Sequence, residues 1–148
     1  MNEEAIATLV KAGILRQKPV DEERVKSVTA FAETNAKVAK TIPLTEESAT
    51  IIFTSIYESI RQLGIAKWWL LGYDPANHEI TLDILKEMDI RGKIKLNYLE
   101  RFRKIRHDAN YRALSATVSQ AKEIIDFWDT SGKEILDILK MAVKHSPK

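Results

Sequence analysis

No cysteine occurs in the chain, so disulfides and thiolate metal sites are excluded and a reducing compartment fits. Long apolar runs are missing too. The richest, Trp68-Trp69-Leu70-Leu71, falls far short of the roughly 18 residues that a membrane span requires. The opening residues Met1-Asn2-Glu3-Glu4 are acidic and lack the basic start and apolar core of a signal peptide. A soluble, cytoplasmic protein without membrane association is expected. Glycine is scarce and scattered, five residues in all. With no glycine-rich loop to cradle a phosphate, autonomous nucleotide hydrolysis is not expected. The three histidines, His78, His107 and His145, stand far apart and form no closely spaced pair for zinc. No serine sits in a recognisable nucleophile elbow. Neither a metal nor a cofactor is expected.

What the chain does have is a globular balance, 45% hydrophobic and 30% charged residues over 148 positions, the size of one domain. Folding at this length can bury roughly 70% of the surface an unfolded chain exposes, enough for a core without covalent staples. A single domain over residues 1–148 is expected. The net charge of +2 is too small to imply a polyanionic partner, yet its distribution is uneven. Between positions 91 and 112 stand Arg91, Lys93, Lys95, Arg101, Arg103, Lys104, Arg106 and Arg112, against only Glu100 and Asp108.

Helical periodicity dominates and predicts an all-α fold. From Asp21 to Lys40, apolar residues recur at Val25, Val28, Phe31, Ala32, Ala36, Val38 and Ala39, with Asp21 as cap. Pro43 ends that helix, and Thr45 offers a new cap. Ile52, Ile56, Ile60 and Leu63 then mark a helix able to continue through the tryptophans to Gly72. Asp74-Pro75 reads as a turn, and a shorter helix follows from His78 to Met88. After Gly92 the basic segment reads as helical, with Ile94, Tyr98, Phe102 and Ile105 on one face. Thr117 and Gln120 have the form of a capping box. The last and longest helix carries Ala121, Ile124, Ile125, Trp128, Ile135, Leu139 and Ala142, with Gly132 as a point of local bending. An accessory helix is expected near residues 3–15 and a core bundle near 21–144. No alternation long enough for a strand is present. Short connections between long helices favour an up-down bundle. The adjacent Trp68 and Trp69 must point about 100° apart on a helix, which offers one of them to the bundle edge or a partner chain.

Two segments carry a further resemblance. One is Gly72-Tyr73-Asp74-Pro75-Ala76-Asn77-His78-Glu79; the other is Leu99 to Arg112, containing Arg106-His107-Asp108-Ala109-Asn110-Tyr111. Their order and spacing, and the long helix after them, resemble the HEPN superfamily over roughly Thr45 to Met141. The resemblance implies a four-helix bundle with one or two accessory helices, and a homodimer whose polar residues meet at a shared cleft. It also implies RNA-directed activity, in many members metal-independent endoribonuclease activity within toxin–antitoxin or defence systems, often paired with a nucleotidyltransferase. The nuclease motif of the family is an arginine, four to six residues, then a histidine. Arg101 and His107 satisfy it loosely. Placing Arg106 on the family arginine instead leaves Tyr111 five positions on, where no histidine stands.

Metal-independent RNA cleavage needs proton transfer at the 2′-hydroxyl and at the leaving oxygen, with positive charge at the phosphate. His107, Arg106 and Tyr111 are the candidate catalytic residues. An imidazole titrates near about 6.5, whereas a phenol near about 10 is a poor base. Arg106 or Arg103 can hold a phosphate through paired hydrogen bonds. Arg101, Arg103, Lys104 and Arg112 are the candidate RNA contacts. Asp108, Asn110, His78 and Glu79 are candidate supporting polar groups. Each has a plain structural reading beside it. The basic helix can be a solvated face, and His107 can cap a helix end. Tyr111 can be a packed aromatic, and His78 and Glu79 can serve the start of their helix. A non-catalytic binding module that pairs with a nucleotidyltransferase or another protein partner is the alternative function.

Overall fold

The computed structural model describes residues 1–144, so His145 lies outside them. The all-α expectation holds apart from one small sheet. The elements are α1 (Glu3–Lys11), β1 (Leu15–Gln17), α2 (Glu22–Thr41), α3 (Ala49–Leu70), β2 (Tyr73–Pro75) and α4 (His78–Lys86), followed by α5 (Tyr98–Tyr111), α6 (Val118–Phe127) and α7 (Lys133–Lys144). A 3₁₀ turn, Lys93–Asn97, leads into α5, and a π-helical turn, Trp128–Gly132, joins α6 to α7. Among the described residues no helix is long and apolar enough to cross a membrane.

Helix α3 is the centre of the fold. Ile52, Phe53, Ile56, Tyr57, Ile60, Leu63, Ala66 and Trp68 are all buried, so α3 is covered on nearly every side by α2, α4, α5, α6 and α7. Against it α2 lays Val25, Thr29, Ala32, Ala36 and Ala39, a stripe alternating steps of four and three. These small residues let the two backbones approach closely. Val28 is half-buried, and Phe31 and Val38 project to solvent, so the buried side of α2 is narrower than its apolar content implies. Asp21 caps α2 by accepting from Arg24 N, as expected. Thr45 caps a turn instead of the regular helix: its hydroxyl accepts from Ser48 N, and α3 begins at Ala49.

Four further expectations are corrected. Helix α1 stops at Lys11, because Gly13 turns the chain at φ +76°, and Leu15 enters the core from β1. Asp74-Pro75 belongs to a strand: β1 and β2 pair antiparallel, with Leu15 opposite Pro75 and Gln17 opposite Tyr73. Strands of three residues are too short to display an alternation. In the basic segment, Ile94 is 82% exposed and Tyr98 is exposed, while Leu96, Leu99 and Phe102 are buried. The 3₁₀ turn breaks the continuous α-helical register that would align Ile94 with Phe102. In the last helix, Ala142 is exposed and Leu136 and Val143 are buried. Ile135 and Leu139 stay buried, and beyond the wide turn at Trp128–Gly132 the buried face takes in Leu136 and ends on Val143, four residues after Leu139.

Both tryptophans are used within the chain. Trp68 is buried, and its Nε1 donates to the carbonyl of Ile80 at 2.8 Å. Trp69 Nε1 donates to Asp74 Oδ1 at 2.9 Å, and the Arg24 guanidinium lies 4.6 Å from its ring centroid. Trp69, half-buried, therefore lies at the bundle edge where the β-ribbon meets α2.

Gly64 marks the closest approach of α3 and α4. A Cβ there would stand 1.9 Å from the Thr81 carbonyl oxygen, so any side chain drives the helices apart. Gly64→Ala is expected to cost about 3 kcal/mol, the upper part of the overpacking range. Gly13→Ala meets no neighbour within 4 Å and should cost only about 1 kcal/mol of left-handed backbone strain. Urea unfolding of both variants checks this; equal losses would remove the close-approach explanation.

Candidate functional site

The two ends of the α4–α5 segment meet. Tyr57 of α3, His78 and Glu79 at the start of α4, and Arg103, Arg106, His107 and Tyr111 of α5 line one open cleft of about 310 Å³. Asn77 fixes the α4 wall. Its Oδ1 accepts from Ile80 N and caps the helix, and the Trp68–Ile80 bond holds the same turn against α3. The α5 wall is anchored by Phe102, which packs edge-on to Phe53 at 5.9 Å and to Phe127 at 5.5 Å. One turn further along α5, Arg106 and His107 reach the opening.

The two cleft arginines are held differently. Arg103 is neutralised by carboxylates: Nη1 donates to Glu79 Oε1 and Nη2 to Glu100 Oε2, both at 2.8 Å. Glu100 also accepts from Lys86, and the Lys86 and Arg103 hydrogen bonds hold its carboxyl below the ordinary range. Arg106 faces a neutral partner. The Asn110 amide oxygen, turned toward the guanidinium, accepts from Nε at 3.1 Å and Nη2 at 3.2 Å. The Arg106 guanidinium also lies 5.8 Å from the Tyr57 ring centroid. It keeps its full charge for an anion.

The His107 and Tyr111 rings stand 4.7 Å apart at 41°. Tyr111 is 72% exposed, so it is not the packed aromatic of the plain reading. Tyr57 forms the floor of the cleft, and burial raises its phenol above the ordinary value. His78 is lowered below the ordinary histidine value, first by burial and then by the nearby charges of Arg61 and Arg106. Its capping role is taken by Asn77.

The other expected residues lie elsewhere. Arg101 pairs with Glu123 on α6, and its guanidinium rests over the Tyr98 ring. Lys104 is exposed, outside the cleft. Arg112 points back to Asp108 at 4.0 Å. The Asp108 carbonyl accepts from Arg112 N and Leu114 N, ending α5. Tyr57 and the Glu58–Arg61 pair beside it escaped the sequence reading. Both lie within the apolar stripe of α3, where a tyrosine reads as core and an i,i+3 ion pair as solvated face. Among the described residues no three His, Asp or Glu side chains are grouped to hold a metal ion.

A lowered imidazole has a definite pH consequence. As pH falls below about 6.5, the unfolded chain takes up the proton before folded His78 does. The stability His78 contributes is complete above that value and is lost as pH drops through the lower folded value. The His78 midpoint, followed by NMR, is expected below that of a free histidine. It should move partway back in Arg106→Ala, because burial and Arg61 remain. A wild-type midpoint at or above about 6.5 would contradict the assignment. Compared with known proteins, the chain matches no protein-family model, no curated protein and no solved structure.

Proposed function

We propose that this chain is a HEPN-type RNA-binding protein that acts as a metal-independent endoribonuclease. In this reading α2, α3, α4–α5 and α6–α7 are the four bundle helices and α1 is accessory. The protein works as a homodimer within a toxin–antitoxin or defence system. One observation carries the proposal: His78 and Glu79 from one segment that resembles the family, and Arg103, Arg106, His107 and Tyr111 from the other, line the same cleft.

The geometry supports these roles. Arg106, braced by Asn110 and free of any carboxylate within the described residues, binds the scissile phosphate through two parallel hydrogen bonds. It also stabilises the charge that builds on the phosphoryl oxygens in the transition state. His107, exposed at the mouth, carries a proton to the leaving oxygen. Tyr111 stands beside it and offers an exposed ring for a base to stack on. Arg103 is spent on Glu79 and Glu100 and shapes the wall. Arg101, Lys104 and Arg112 lie outside the cleft and can only contact flanking RNA.

The alternative is a binding module that pairs with a nucleotidyltransferase without turnover. Of the two tryptophans, buried Trp68 cannot serve such a partner, and half-buried Trp69 is the one left to do so. The deciding experiment is cleavage of a mixed RNA pool with EDTA present. Wild type should cleave, and His107→Ala and Arg106→Ala should each lose about 10²-fold or more in rate. Cleavage that persists in both variants removes the proposal. No cleavage by folded, dimeric wild type favours the binding module.

A further inference from the structure

We propose that His78 is the second proton carrier of the cleft, the general base that takes the 2′-hydroxyl proton while His107 protonates the leaving oxygen. This rests on the reading of the cleft as an RNA-cleaving site and supplies the half of the chemistry that His107 alone leaves unassigned.

In-line displacement at phosphorus requires base and acid on different sides of the reacting phosphate. The cleft offers two imidazoles on different elements for this, His78 at the start of α4 and His107 on α5. Among the described residues, nothing hydrogen-bonds the His78 ring. Its backbone carbonyl accepts from Thr81 Oγ1, and Asn77 does the capping, so the ring is left to face the cleft.

The other bases available there are poorer. The Glu79 carboxylate is occupied by Arg103. Tyr57 is raised further by burial, and a phenol such as Tyr111 is a weak base near neutral pH. The groups that set the charge around His78 are Arg61 and Glu58 of α3, Arg106 of α5 and its own neighbour Glu79. Arg61 is paired with Glu58, but both cations lower the His78 imidazole more than Glu58 raises it. The ring is thus neutral, as a base must be, near neutral pH.

The step balances without any added reagent. Neutral His78 accepts the 2′-hydroxyl proton as the 2′ oxygen bonds to phosphorus. The bond from phosphorus to the 5′ oxygen breaks, and the His107 imidazolium gives its proton to that oxygen. The products are a 2′,3′-cyclic phosphate and a 5′-hydroxyl. Phosphate charge is met throughout by Arg106.

The test uses the full chain in EDTA with a short fluorophore–quencher RNA, and compares wild type, His78→Gln and His107→Gln across pH. His78→Asn replaces the glutamine variant if that one melts early, since asparagine is well tolerated at a helix start. His78→Gln should lower kcat by about 10²- to 10⁴-fold, with KM changed little, and abolish the acid limb of the kcat/KM profile. A uridine 3′-phosphate ester with a 4-nitrophenolate leaving group needs no acid. It should restore His107→Gln and leave His78→Gln slow. A His78 variant that keeps the acid limb, or that the activated ester restores, overturns this assignment while leaving the nuclease reading intact. No cleavage by wild type overturns both.

Discussion

The close packing of α3 against α4 governs everything else in the site. Gly64 admits the Thr81 backbone into van der Waals range, and Trp68 closes the same contact by donating to Ile80. A buried indole N–H without a partner would cost about 1–3 kcal/mol, so the Trp68 bond fixes the first turn of α4 firmly. His78 and Glu79 sit on that turn. The position of one cleft wall is therefore set by a glycine and a tryptophan that never touch the cleft. The β-ribbon supports the arrangement from the other end, since it carries the chain from Gly72 into Asn77 in an extended path.

Within the cleft, the division of labour between arginines follows from what each one faces. Arg103 meets two carboxylates, so its charge is cancelled locally and it acts as a tether between α4 and α5. Arg106 meets an amide and an aromatic face, which orient the guanidinium without neutralising it. An anion entering the cleft consequently finds one preoriented, uncompensated cation. The same charge adds to burial and Arg61 in lowering the His78 imidazole. An anion on Arg106 would therefore act on the imidazole through one of its three causes. A phosphate on Arg106 would relieve part of the cationic field and raise the basicity of the neighbouring imidazole.

Much of the fold was legible in the sequence because α2, α3 and the last helix carry long periodic stripes and recognisable caps. Asp21 and the Thr117–Gln120 box are found where their spacing places them. Legibility failed where a local departure from α-helical phase intervened. Three-residue strands have no period to read, and the 3₁₀ turn before Tyr98 rotates Ile94 out of the core; in α7 the stripe ends on Val143, the i+4 neighbour of Leu139, where the i+3 neighbour Ala142 reads equally well. For the site, the residue types on α5 were visible, but their directions depend on the same phase. His107, Arg103 and Arg106 enter the cleft; Arg101 and Lys104, two positions and one position from Arg103, do not. Tyr57 was hidden because a buried tyrosine in an isoleucine stripe looks like core, and it is core on one side and cleft floor on the other.

The π turn between α6 and α7 explains how α5 is held. An extra residue per turn widens the helix at Trp128–Gly132, and the widened stretch is gripped from two directions. Lys40 at the end of α2 pairs with Asp129, and Lys95 in the turn before α5 reaches both Asp126 and Thr130 at 3.2 Å. Glu134, just beyond the turn, accepts from Arg91 N at 2.8 Å. At the far end of α5, the Thr50 hydroxyl accepts from Ala116 N and ties the outgoing chain to the start of α3. With Phe102 buried between Phe53 and Phe127 in the middle, α5 is fixed at three points. Only its outer face and its last turns, which carry Arg106, His107 and Tyr111, remain open to a ligand. A regular helix in place of the π turn would lose the wide turn that Lys40 and Lys95 grip together. This departure from ideal helical geometry therefore helps locate the basic helix.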